Sequence, residues 1–108
     1  MKIKTHDPFH ISLKNYTTLT SRLILMGEFQ LLKASFIIIE KFLQEGDTSI
    51  KEAIVEYYVP SLCRFLNECE WRNKVVPLLP LLLNEEYKRK LEEENSEGNN
   101  AVFILRFN

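Results

Sequence analysis

The sequence predicts a mainly α domain: four helices in an antiparallel bundle or a short helical solenoid, with a minor β element at the termini. Three observations carry that expectation. Phe29, Leu32, Phe36, Ile39 and Leu43 recur at steps of three and four, and Ile50, Ile54, Tyr58, Leu62, Phe65 and Cys69 recur about one turn apart. Between the two stripes stands Gly46-Asp47, a connection so short that the flanking helices must lie antiparallel. A β-rich stretch, AVFILRF at residues 101–107, closes the chain.

In chain order, residues 1–7 alternate around Ile3 and run into Pro8, which predicts a short strand or extended arm. Tyr16, Leu19, Leu23 and Met26 then predict an opening helix over residues 14–26, ended by Gly27. An unbroken helix through Gly27 is the alternative, but it carries Gln30 and Lys33 into the seam. In the second helix Leu31, Ile37, Ile38 and Phe42 widen the apolar stripe, which predicts a central helix with neighbours on two sides. Glu28, Lys33, Glu40, Lys41 and Glu45 are assigned to water.

Gly46 suits a left-handed residue just past a helix, and Asp47, Thr48 and Ser49 each offer an oxygen to the next N-terminus. Ser49 with Glu52 fits a capping box. Gly27-Glu28 and Gly46-Asp47 lie 19 positions apart and each introduces a helix, the faint echo behind the solenoid alternative. Pro60 predicts a kink or a division of the third helix near residues 57–60.

Residues 70–73 read as a connection, and Pro77 and Pro80 fit a short, turn-rich helix through Leu82. Asn84 is the expected N-cap of a last helix over residues 85–94, which Tyr87 and Leu91 anchor. Residues 95–100 read as loop. The strand at 101–107 needs a partner, either residues 1–5 or a second chain.

The 108 residues, 45% of them hydrophobic, suit one domain spanning residues 1–108. Basic and acidic residues number 14 and 15, a balance that disfavours nucleic acid as a partner. The longest apolar run, residues 75–83, is interrupted by Pro77 and Pro80 and falls short of the about 20 residues of a membrane span. With no signal-like N-terminus, a cytoplasmic protein with no membrane partner is expected. Cys63 and Cys69, roughly 9 Å apart along a helix at 1.5 Å per residue, read as buried reduced thiols.

No constellation assembles catalytic chemistry, so the chain is not expected to be an enzyme or to carry a cofactor. His6 and His10 have a four-residue spacing, but Pro8 separates them and no third metal ligand is near. Cys63 reads as structural rather than nucleophilic. Gly27, Gly46 and Gly98 are isolated and form no phosphate loop. Tyr57, Tyr58 and Trp71 read as core and rim aromatics.

The acidic last helix is the remaining signal. Residues 85–97 hold six acids against three bases, and Glu92, Glu93 and Glu94 crowd the negative end of the helix dipole. Either they form a solvated helix end, or they join Glu85 and Glu86 as a docking patch for a basic protein. Phe103 and Leu105 are candidate contact residues on the terminal strand.

Within residues 27–66, the stretch EKFLQEGDTSIKEAIVEYYVPSLCRFL resembles a group of small uncharacterised bacterial helical domains. In these, one helix ends in a Gly-Asp corner and the next opens with an acid-rich turn. The resemblance implies an immunity-type protein that neutralises a toxin, and it carries over no functional residue. The expected function is therefore protein binding of immunity or inhibitor type. The alternative is a structural or assembly subunit that self-associates, as a homodimer, through the C-terminal strand.

Overall fold

The computed structural model describes the backbone of residues 8–107 and the side chains of Phe9 and of residues 11–94. Every element in it is helical. The first, α1 (Pro8–Met26), starts earlier than the periodicity predicts, because a proline in the first turn gives up only an N–H that has no helical partner anyway. Residues 1–7 lie outside the described part, and with them the expected N-terminal arm.

The buried face of α1 is Leu13, Thr20, Leu23 and Ile24, while Leu19 and Met26 are exposed. That face is rotated from the predicted stripe. Thr20 tolerates burial because its hydroxyl lies 2.8 Å from the Tyr58 hydroxyl and donates to the Tyr16 carbonyl at 2.9 Å.

Gly27 ends α1 at φ +72°, the left-handed conformation that glycine adopts without strain. Its N–H donates to the Ile24 carbonyl and that of Glu28 to the Leu23 carbonyl, the paired bonds of a Schellman cap. The chain reverses there into α2 (Phe29–Glu45). The Tyr16 hydroxyl reaches the Ser35 carbonyl at 2.8 Å, and the rings of Phe9 and Phe42 meet edge to face at 5.9 Å, so the two helices run antiparallel.

Leu32, Phe36, Ile39 and Leu43 are buried and Phe29 packs against them, as the steps of three and four predict. The widened stripe is not buried: Leu31, Ile37, Ile38 and Phe42 are 40–58% exposed. At the next corner the glycine has a different reason from the predicted one. Gly46 is extended, φ −70° and ψ 162°, not left-handed. A Cβ there would stand 2.6 Å from the Phe42 carbonyl oxygen and 2.8 Å from Ile50 Cγ2, so the corner needs glycine for space. Gly27 and Gly46 thus differ in backbone, so the two corners are not built alike.

Asp47 caps α3 (Thr48–Ala53): its Oδ1 accepts the Ile50 N–H at 3.0 Å, a role the capping-box reading gives to Ser49. Then comes a π-helical turn, Ile54–Tyr58, in which the Val59 N–H donates to the Ile54 carbonyl five residues back. It leads into α4 (Val59–Asn67), with Pro60 in the first turn. The predicted irregularity before Pro60 is this wider turn. Ile54, Tyr58, Leu62, Cys63 and Leu66 are buried along it.

After α5 (Arg72–Val75) and a 3-10 turn (Val76–Leu78), α6 (Leu81–Phe107) runs to the end of the described backbone. It begins before the predicted cap: Asn84 lies inside the helix, and its N–H donates to the Pro80 carbonyl at 2.7 Å. The cap comes from α2. Glu40, only 7% exposed, accepts the N–H groups of Leu82 and Leu83, both at 2.9 Å.

Among the described residues there is no strand, and the backbone of residues 101–107 is helical. An apolar run of that length fits either state, and a helix satisfies its backbone groups locally where a single strand cannot. Residues 1–5, the expected strand partner, lie outside the described part. In the packing, α1 lies against α2 and α4, and α6 lies against the same two helices. Val75, Leu79, Leu83 and Tyr87 close the core from that side.

Candidate functional site

The acids of α6 take several positions. Glu85 and Glu92 are exposed, and Glu86, half-buried, accepts from Arg89 at 2.8 Å one turn on. Glu93 lies 3.8 Å from Lys90. Such surface pairs contribute about 0.3–0.5 kcal/mol each. Glu94 is half-buried and close enough to Cys63 for its charge to help raise that thiol's pKa. Phe103 and Leu105 belong to the helical end of α6, and their side chains are outside the described part.

The acidic helix does not stand alone. Glu86 and Glu93, with Arg89 and Lys90, face Glu56 of the π turn and Pro60 across an open groove of about 300 Å³. Sequence reasoning does not bring Glu56 to these residues, because its place depends on the tertiary packing of α4 on α6.

A second concavity lies on the outer side of α2. Ile38, Phe42 and Ile50 line it, with Lys41, Glu45 and Asp47 at its edge, and its volume is about 500 Å³. Leu31, Ile38 and Phe42 are seven and four positions apart, so at about 100° per residue they fall within about 40° of one another on the helix. They form an apolar ridge in solvent.

The third concavity, about 550 Å³, lies between the end of α4, α5 and α6. Tyr87 lines it and is 2% exposed. Its hydroxyl is buried without a hydrogen bond of good geometry, one of two such side-chain atoms among the described residues, the other being Asn84 Oδ1. Burial pushes the Tyr87 phenol above its ordinary pKa, and the nearby Arg72 guanidinium partly offsets this by its charge and by contact with the hydroxyl. Spacing along the sequence marks Tyr87 as a core anchor only.

Cys63 is buried and Cys69 half-buried, and both are free thiols. The Cys69 sulfur accepts the Trp71 N–H at 3.3 Å. Trp71 sits at the rim as expected, edge-on to Phe29 at 6.0 Å with Lys74 Nζ 5.7 Å from its centroid. Among the described residues no three of His, Cys, Asp and Glu are grouped to hold a metal, and no helix is long and apolar enough to cross a membrane. His6 and the side chain of His10 lie outside the described part.

A family model described as a domain of unknown function (DUF7674) matches residues 2–95. No curated protein and no solved structure matches the chain significantly.

Proposed function

The chain belongs to the DUF7674 family, and from that premise we propose that it is a cytoplasmic protein-binding domain of immunity or inhibitor type, which acts by covering a partner's surface. The observation that carries this reading is the outer ridge of α2. Leu31, Ile38 and Phe42 spend large apolar side chains on solvent, although the same helix has a complete buried stripe behind them. Apolar groups grouped on one face are a mark of contact surfaces. Glu85, Glu86, Glu92, Glu93 and Glu94 on α6 offer a separate, electrostatic contact for a basic partner.

Capture of the tagged full chain from its native cell tests the proposal. A stoichiometric second polypeptide is expected, together with its loss in Leu31→Glu and Ile38→Glu, which alter exposed positions and leave the core intact. Consistent recovery of the chain alone overturns it.

A second reading rests on the composition of residues 101–107, which hold Val102, Phe103, Ile104, Leu105 and Phe107 within seven positions. They suit a structural subunit that self-associates as a homodimer. Mass in solution separates the two: deleting residues 101–108 converts a dimer to a folded monomer on the second reading and leaves the mass state unchanged on the first.

A further inference from the structure

We propose that the outer side of α2 receives residues 101–107 of a second copy of this chain, so that two copies exchange their C-terminal ends. The inference deepens the second reading above and rests on it: that reading names the associating segment, and α2 offers its seat. The seat is the concavity of about 500 Å³ formed by Ile38, Phe42 and Ile50, with Lys41, Glu45 and Asp47 at its edge. Segment and seat match in kind and in charge. Residues 101–107 hold five large apolar residues and a single charge, Arg106. The seat is apolar along Ile38, Phe42 and Ile50, and its edge sets the carboxylates of Glu45 and Asp47 against the one ammonium of Lys41, a net charge of −1. Opposite charges at the edge of an apolar contact fix its register, and a short apolar helix laid in such a groove is a recurring mode of recognition.

Within one chain the segment does not reach the seat. α6 starts beside Glu40, whose carboxylate takes the Leu82 and Leu83 N–H groups. At about 100° per residue, Glu40 lies about 160° round α2 from both Ile38 and Phe42, so α6 leaves from the far side of that helix. Residue 101 follows Leu82 by 19 positions, and the backbone of α6 is helical over that length. At about 1.5 Å per residue the segment therefore stands about 28 Å from the turn of α2 that holds Ile38 and Phe42. A second copy brings it there. Each copy offers one segment and one seat, so a two-fold axis closes the pair with both seats filled.

Sedimentation of the full chain over a range of concentrations tests the proposal. A reversible dimer is expected, its Kd raised at least about tenfold in Ile38→Glu, which blocks the seat, and in Phe103→Glu, which blocks the segment. An equimolar mixture of those two variants should regain a dimer, because one copy keeps an intact seat and the other an intact segment. Arg106→Glu should weaken the dimer, and Glu45→Lys added in the same chain should restore it in part, a comparison that stands even if Ile38→Glu fails to fold. A dimer lost in Phe103→Glu but unchanged in Ile38→Glu overturns the seat and leaves the self-association reading standing. So does a mixture no more associated than its components, or a charge exchange that restores nothing. A dimer that survives deletion of residues 101–108, or a chain that is monomeric throughout, overturns both.

Discussion

Glu40 on α2 and Leu83 in the first turn of α6 are 43 positions apart, and the Leu83 N–H donates to Glu40 Oε1 at 2.9 Å. The other carboxylate oxygen takes the Leu82 N–H at the same distance. Pro80, just before the helix, has no side-chain acceptor, so the second helix supplies the cap that the last helix lacks locally. Glu40→Ala leaves two N–H groups at a buried helix start unpaired and should destabilise by about 2–4 kcal/mol. Glu40→Gln, which keeps one oxygen, should cost about half as much. Denaturant unfolding gives the stability loss, and faster amide exchange at Leu82 and Leu83 locates it.

Two phenylalanines of α2 provide a control for one another. Phe36 is 0% exposed, and Phe36→Ala should cost about 3–5 kcal/mol through lost burial and a cavity. Phe42→Ala, at an exposed position that keeps an edge contact with Phe9, should cost below about 2 kcal/mol. Equal losses in denaturant melts contradict the placement of the buried face.

The glycines should respond in opposite order to their backbone angles. At Gly27 a Cβ meets nothing within 4 Å, so Gly27→Ala carries only left-handed strain, about 1–2 kcal/mol. At Gly46 the backbone is ordinary but the space is filled by Phe42 and Ile50. Gly46→Ala should therefore cost as much or more, about 2–3 kcal/mol, through a forced shift of backbone. Thermal melts of the two variants check this.

The two thiols should differ in reactivity. Burial pushes the Cys63 thiol up to about 11, helped by the charge of Glu94 and opposed by Lys90, Arg72 and Arg64. A thiol-specific reagent at neutral pH should modify Cys69 and leave Cys63 untouched until the chain unfolds. The folded thiol keeps its proton where the unfolded one, near 9.0, loses it. Its contribution to stability is thus complete below about pH 9 and is lost as pH rises towards about 11. Denaturant melts across that interval should show the native chain losing stability faster than Cys63→Ala, which lacks the titrating group.

Much of this fold is legible where side chains follow a regular period. The stripe of Leu32, Phe36, Ile39 and Leu43, and that of Ile54, Tyr58 and Leu62, need only helical spacing. Local pattern assigns Glu40 to water and gives no reason to bury Thr20. Burial of a polar group depends on a distant partner, the start of α6 in one case and Tyr58 in the other, and spacing holds no record of such pairs. AVFILRF is ambiguous for a different reason: dense β-branched and aromatic residues suit a strand, yet the same run continues a helix without a second strand. For the candidate site, the acids of α6 are visible as composition. Glu56 across the groove and Arg72 beside Tyr87 are not, since each meets its neighbour only after the helices pack.

The π turn at residues 54–58 has an evolutionary consequence. In effect it is one extra residue absorbed into a helix without displacing the residues of α4. Removing one residue there restores ordinary helical winding and leaves Leu62, Cys63 and Leu66 in place, but it also returns the ring of Pro60 to a carbonyl four positions back, at about 3 kcal/mol. Length and proline are therefore coupled. Relatives one residue shorter in this turn should lack the proline, and a deletion of Glu56 in this chain should fold well only when Pro60 is replaced by alanine.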